Sequence, residues 1–339
     1  MHDVAARAGV SIATVSRALN GNRPMSAELR DQVLAAADAL EYRVNLLGRA
    51  LRLRRTFSLG LVVPDLENPY FSALGQQVSR SFSRSNIDVF IYSADNDIKL
   101  ERRAIQSFLG RQVDGLVLIP SDEVDSAENV LLADNSVVTI QFDRRVRSQR
   151  TRYVRYVGCD NRHGMRLVVE HLNRDVDLER QPPIFVGARP TSSSAHERLE
   201  AFTKAVPTAK RLLGSFSFEW GQQAAYDLID RGVTAGTIVT AADVIALGVI
   251  AGVQTRGYLV PENFRVIGFD DIGVSFLAHP ALTSVRQPVD EMTTAIVEMV
   301  LGKMAGDASA PGSTTKVFKP ALMIRESSPG RLPLPRSGR

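Results

Sequence analysis

The sequence predicts two units of different class: a small all-α unit at the N-terminus and a larger α/β unit with parallel sheets. Three observations carry this. Residues 1–44 hold three short helical patterns and no strand pattern. From Phe57 onward, short apolar runs with sharp polar ends alternate with helical stretches. The charge is also divided. Residues 1–55 hold nine Arg, no Lys and five Asp plus Glu, whereas the 32 basic and 32 acidic residues of the remainder cancel.

In the first unit, Asp3 to Ala8 reads as a short helix that Gly9 breaks, since glycine takes positive φ cheaply. Ser11 is placed to cap a second helix over Ile12 to Leu19, with Val15 and Leu19 on one face. Asn20-Gly21-Asn22 ends it. Ser26 caps a third helix, whose expected buried stripe is Leu29, Val33, Ala36, Ala37 and Leu40. Two short helices joined by a Gly-containing turn and followed by a third make the helix-turn-helix plan.

The second unit opens with "FSLGLVVPD", a continuous apolar run of the kind a buried parallel strand requires. "DVFIYSAD", "DGLVLIPS", "VVTIQFD", "RYVRYVGCD", "PPIFVGA", "GTIVTAAD" and "FRVIGFDD" repeat it. Helical stretches such as Phe71 to Ser85, Leu100 to Arg111 and Gly164 to Asn173 lie between them. Several runs end in a polar residue: Asp65, Asp95, Ser121, Asp143, Asp160, Asp243 and Asp270. Ligands of open α/β sheets bind beyond the carboxyl ends of the strands, so these positions are either site residues or helix caps.

The absences are as useful. No apolar run approaches the ~18 residues of a membrane helix, and no secretory signal leads the chain. A cytoplasmic protein with no membrane partner is expected. The single cysteine, Cys159, allows no intrachain disulfide and reads as a small buried residue. His2, His163, His171, His196 and His279 lack metal-ligand spacing, so no metal is expected; a surface or helix-end role is the reading for His163 and His171. No nucleotide-binding glycine motif, nucleophile elbow or zinc-protease motif occurs. Neither an enzyme nor a cofactor is expected. The basic N-terminal unit points instead to a polyanion.

"DVAARAGVSIATVSRALNG" at 3–21 closely resembles the helix-turn-helix of the LacI type, the lac repressor and galactose repressor family of bacterial transcription regulators. "MSAELRDQVLAAADALEYRVN" continues the likeness, as do "NPYF" at 68–71, "VDGLVLIPS" at 113–121, "DNRHGMRLVVEHL" at 160–172, "VIGFDD" at 266–271, "PALTSVRQP" at 280–288 and "MIRESS" at 323–328.

The resemblance implies a helix-turn-helix DNA-binding domain over 1–44 and a hinge helix over 45–55. It also implies a two-lobed periplasmic-binding-protein-like core over 56–327. In that core the N-lobe takes about 56–160 and 287–315, and the C-lobe about 161–284 and 316–327. Residues 328–339 are expected to be a disordered tail. The tail lacks an apolar heptad, so a homodimer is expected.

By the same resemblance, Ser11, Thr14, Ser16, Arg17 and Asn20 would contact double-stranded operator DNA. Arg17 suits guanine O6 and N7. Ile12 and Ala13 sit where the family varies to choose operators, and suit thymine methyl groups; helix packing is the other reading of Ile12. Tyr42 and Asn45 match backbone-contacting positions. Leu51 matches the hinge leucine that wedges into the minor groove. The cleft between the lobes would hold a small effector, expected to be a carbohydrate. Tyr70, Phe71, Asp143, Ser192, Ser194, Arg198, Trp220 and Asp270 match its walls, with core packing as the other reading of Trp220.

Four positions depart from the family pattern. Val44 replaces a proline and Gly48 an alanine, which weakens the hinge by ~1 kcal/mol at Gly48. Ala242 replaces an asparagine that often touches ligand, and Ala201 a common glycine. Relatives also carry several residues ahead of the position of Met1, so the true start is expected upstream.

Overall fold

The computed structural model describes residues 1–20, 25–42, 50, 55–304 and 315–330, with only the backbone of Asn20. Met1–Thr56 and Phe57–Arg339 form two compact units.

In the first unit, α1 (His2–Arg7), α2 (Ile12–Asn20) and α3 (Ala27–Asp38) follow the helical patterns closely. Gly9 turns the chain at φ 61°, and Ser26 Oγ accepts from Leu29 N at 3.3 Å to start α3. Val4, Ala5, Ala8, Val15, Ala18, Val33, Ala36 and Ala37 are buried together. These are small side chains, which lets three short helices approach closely. Leu29 is only half-buried and Leu40 is exposed, so the buried stripe of α3 is shorter than expected. The hinge span 45–55 lies outside the described residues except for 50 and 55, and Val44 and Gly48 lie outside them.

The second unit is built on two sheets. The first comprises β1 (Ser58–Val63), β2 (Asp88–Ser93), β3 (Gly115–Leu118), β4 (Val138–Phe142), β5 (Arg155–Cys159) and β11 (Thr315–Phe318), in the order β11-β5-β4-β3-β1-β2. The second comprises β6 (Ile184–Ala188), β7 (Lys210–Gly214), β8 (Gly236–Thr240), β9 (Phe264–Asp270), β10 (Thr283–Arg286) and β12 (Ala321–Met323), in the order β12-β10-β9-β8-β6-β7. All pairings are parallel except β10 with β12. Each lobe thus has the 2-1-3-4-5 strand order, whose reversal point is a ligand crevice.

Helices cover the faces, which is why β1 is buried along its whole length. On the first sheet they are α4 (Pro69–Ser83), α5 (Ile98–Gly110), α6 (Ala127–Asp134) and α11 (Val289–Met304). On the second they are α7 (Asn161–Leu172), α8 (Ser193–Ala205), α9 (Phe218–Asp230) and α10 (Asp243–Thr255).

The chain passes between lobes three times: between β5 and α7, between β10 and α11, and between β11 and β12. The last crossing corrects an expectation. Residue 316 was the expected start of the final C-lobe segment, but Thr315 to Phe318 pair in register with Tyr156 to Cys159 of the first sheet. The crossing therefore falls between Phe318 and Ala321. The expected disordered tail also starts too early. Ser327 and Ser328 are fully buried. Ser327 Oγ donates to Val266 O at 2.6 Å, and Ser328 lies 3.0–3.1 Å from His171 Nε2. Residues 331–339 lie outside the described residues.

Candidate functional site

Burial divides α2 into two stripes. Val15 and Ala18 pack inward, while Ile12, Ala13 and Arg17 face solvent and Thr14 and Ser16 are half-buried. Ser11 caps the helix: its Oγ accepts from Thr14 N at 3.1 Å and lies 2.9 Å from Thr14 Oγ1. The start of α2 thus presents short polar groups. Ile12 is 40% exposed, which fits a surface contact better than helix packing. Arg17 folds back along its own helix, Nε to Ala13 O at 3.3 Å, with a guanidinium exposed to solvent. Gln32 Nε2 donates to Ala8 O at 3.0 Å and fixes α3 against the turn. Tyr42 is half-buried against the three-helix core. The side chain of Asn20, and all of Asn45 and Leu51, lie outside the described residues.

In the second unit, side chains from both lobes meet at the carboxyl ends of the strands. Asn68, Tyr70 and Phe71 follow β1, and Asp143 and Arg144 follow β4. Ser194 and Arg198 belong to α8, Phe216 follows β7, and Asp270 ends β9. They enclose a cavity of about 10 Å³, room for roughly one water molecule. The lobes are closed on this site.

Charge is concentrated here and answered locally. Tyr70 Oη donates to Asp143 Oδ1 at 2.9 Å. Arg198 is 3% exposed and lies on the Phe269 ring at 3.7 Å. It donates to Asn161 Oδ1 at 2.9 Å, Ala241 O at 2.7 Å and Asp270 Oδ1 at 3.2 Å. Gln287 Nε2, just past the β10 crossing, also donates to Asp270 Oδ1, at 2.8 Å. Burial pushes the Asp270 carboxyl up to about 6 against the pull of Arg198, and holds the Tyr70 hydroxyl far above its usual range. Asp143 and Asp270 both have left-handed backbones, at φ 60° and 114°, a cost that clusters at functional sites.

Of the eight residues expected in the cleft, Tyr70, Phe71, Asp143, Ser194, Arg198 and Asp270 come together around this cavity. Ser192 is one step removed: its Oγ caps α8 at Ala195 N (3.4 Å) and lies 3.3 Å from Ser194 Oγ. Trp220 lies apart from the cavity. Its ring covers Gly214, where a Cβ would sit 2.2 Å from it, and Nε1 donates to Gly187 O at 3.0 Å. That is core packing, the other reading the sequence left open. Ala242 is a buried residue at the start of α10 with no side-chain cap.

Asn68, Arg144 and Phe216 were not foreseen. Strand alternation puts Arg144 on the opposite face from Asp143; the positive φ at Asp143 cancels the alternation and brings both inward. Phe216 follows β7, a strand whose charged start, "KRLLG", hides it from an apolar-run reading.

A helix-turn-helix unit and a two-lobed core that closes on a buried polar cleft together define the class of ligand-cleft transcription regulators. Comparison with known proteins agrees. Residues 1–45 match the family of bacterial regulatory proteins, lacI family, and residues 180–328 match the periplasmic binding protein-like domain. The transcriptional regulator AscG of Escherichia coli (strain K12) is 31% identical over 338 residues, covering 96% of this chain and 97% of that protein. MalR of Streptomyces coelicolor is 31% identical, covering 96% and 95%.

Among solved structures, the lac repressor dimer bound to operator and the anti-inducer ONPF superposes with a TM-score of 0.80 at 25% identity, covering 96% of this chain and 98% of that one. The complex of the transcriptional regulator CelR with cellobiose gives a TM-score of 0.69 at 26% identity, covering 96% and 98%. The chain belongs to the lacI family of bacterial regulatory proteins. No helix among the described residues is long and apolar enough to cross a membrane.

Proposed function

We propose that the protein is a cytoplasmic repressor that binds a palindromic operator as a homodimer, and that a sugar or sugar derivative in the core cleft controls it. The observation that carries this reading is the closed, charged cleft at the strand ends of a chain that begins with a helix-turn-helix. Relatives support the sugar: CelR is solved with cellobiose, and a protein named ribose operon repressor is 27% identical. The operator-bound lac repressor dimer supports the DNA and the dimer. No turnover of the ligand is part of the proposal.

On DNA, α2 of each protomer enters the major groove, and the two half-sites repeat the dimer's twofold axis. Ser11, Thr14, Ser16 and Asn20 take phosphates or base edges. Arg17 reads guanine, Ile12 and Ala13 meet thymine methyls, and Tyr42 and Asn45 touch the backbone. Leu51 wedges into the minor groove.

In the core, a ring stacks on Tyr70 and Phe71 while Asp143, Ser192, Ser194, Arg198 and Asp270 take hydroxyl groups. A cavity of about 10 Å³ cannot hold a sugar. Binding therefore re-sets the lobe spacing, and whichever spacing favours DNA fixes whether the ligand induces or corepresses.

The test is selection of bound duplexes from a random pool with the full chain. Enrichment of one inverted repeat supports the reading; enrichment of no sequence contradicts it. Arg17→Ala should weaken the enriched site about 10- to 100-fold, while leaving non-specific binding nearly unchanged.

A further inference from the structure

Among the described residues that line the small cavity, Arg144 holds the buried side-chain atom left without a hydrogen-bond partner. It is 4% exposed. Its guanidinium lies over the ring of Phe71 at 5.0 Å and that of Phe216 at 5.2 Å, one ring from each lobe. Its nearest carboxylate contact is Nε to Asp143 Oδ2 at 4.0 Å, beyond hydrogen-bond range, and Nε is buried without a hydrogen-bond partner. Burial works against the charged form of this side chain. A buried guanidinium left this way is unfavourable, and a planar oxyanion would offset that by two parallel hydrogen bonds. Arg198, by contrast, has three acceptors.

The two cleft carboxylates do not oppose an anion as strongly as their count suggests. Asp143 already accepts from Tyr70, and Asp270 already accepts from Arg198 and Gln287. A second cavity of about 410 Å³ is lined by Arg145 and Ser193, the chain neighbours of the cleft residues Arg144 and Ser194. Four arginines, Arg145, Arg147, Arg152 and Arg162, and two glutamates, Glu123 and Glu197, line it. Arg145 and Arg162 share Glu197, at 3.0 and 3.7 Å, and Arg147 reaches Glu123 at 3.7 Å. The lining keeps a positive excess, which raises the local concentration of anions.

We propose that the cleft effector carries an oxyanion, a carboxylate or phosphate on a sugar skeleton, and that Arg144 receives it. This rests on the proposed effector role of the cleft and narrows it to anionic ligands. The neutral part of the ligand lies against Phe71 and Phe216, between which the guanidinium now sits, and its hydroxyls reach Asp143, Ser194 and Asn68. Arg144 is thereby a specificity-determining residue, separate from the Arg198 network that ties the C-lobe to Asp270.

Calorimetry on the full-length protein with matched ligands tests this: glucose and galactose, glucuronate and galacturonate, gluconate, and the 6-phosphates of both hexoses. The expected result is a carboxylate or phosphate member bound about tenfold or more tighter than its neutral parent, with the two anionic arms naming the oxyanion. Arg144→Gln should erase that preference, and Arg144→Lys should keep part of it. Thermal melts check that both variants fold, and the wild-type preference stands as a test without them. A neutral sugar bound as tightly as its anionic partners, with binding lost in Asp143→Asn, overturns the oxyanion assignment and leaves the cleft reading intact. An anionic preference unchanged in a folded Arg144→Gln variant overturns the role of Arg144. Binding of no ligand in the set overturns both the assignment and the cleft reading.

Discussion

Asp243 carries a titration that the DNA-binding argument does not need. It begins α10 and is fully buried. Its carboxyl takes Ile272 N at 3.0 Å and the hydroxyls of Ser275 and Ser284 at 2.5 Å each, so it ties α10 to the segment after β9 and to β10. Burial, reinforced by Asp270, pushes it up to about 8. The folded state therefore binds this proton more tightly than the unfolded chain, where a carboxyl titrates near ~4. The group's stabilisation is full below ~4 and is lost as pH rises toward about 8.

Asp243→Asn should remove this contribution. Chemical denaturation of the two proteins between those pH values should differ in slope by up to about 1.4 kcal/mol per pH unit, with the wild type falling more steeply. Parallel slopes would contradict the assignment. Asp243 was visible in the sequence only as a polar residue at a strand end, one of seven such positions. Asp160 proves to be a helix cap, accepting from His163 N at 2.8 Å. Asp143 and Asp270 are cleft residues. No local pattern separates the three roles, because burial and backbone φ decide them.

Among the elements, α9 and α10 pack closely, and three glycines permit it. A Cβ on Gly221 would lie 2.1 Å from Ile245 O, one on Gly248 2.0 Å from Phe218 O, and one on Gly252 2.7 Å from Ala225 Cβ. Two of these obstacles are backbone, which cannot swing aside. Gly248→Ala should therefore destabilise the core by about 1–3 kcal/mol or more despite alanine's better helix propensity, read as a lower denaturation midpoint. Gly302→Ala on α11, where nothing lies within 4 Å of the added Cβ, should stabilise slightly and is the control.

β1, β3 and β9 were legible from sequence because parallel strands covered on both faces need apolar runs, and β2 was legible by its run although it is a part-exposed edge strand. β7, β10, β11 and β12 were not. β7, β11 and β12 are half-exposed edge strands that lack that signature, and β10 is buried over three residues but holds a single apolar one, Val285. The lobe assignment of β11 depends on its pairing with β5, a contact distant in sequence.

At the scale of the whole molecule, the charge division has a direct consequence. The excess of four positive charges lies within residues 1–55, while the remainder is neutral. DNA affinity should thus come from the N-terminal unit and fall linearly with salt on a double-logarithmic plot, with a slope of about −0.9 per phosphate neutralised. The core lacking residues 1–55 should show no such dependence in the same titration. Homodimerisation should persist in that core, measured by sedimentation; a monomeric core would place the dimer contacts elsewhere. The helix-turn-helix was the most legible part of the chain, since its small core residues and turn glycine are local. The cleft was legible only in outline, because its residues come from five segments that the fold brings together.

Control of sequence-specific DNA binding by a ligand in the core cleft is read by fluorescence anisotropy. The full-length protein is titrated onto a labelled palindrome from upstream of its own gene and onto a scrambled duplex, with and without the anionic and neutral sugars. Salt-sensitive binding to the palindrome is expected, at least about a thousandfold tighter than to the scrambled duplex. One sugar should shift this binding, and Arg198→Met should abolish the shift. Equal binding to both duplexes, or binding that no sugar alters, would contradict it.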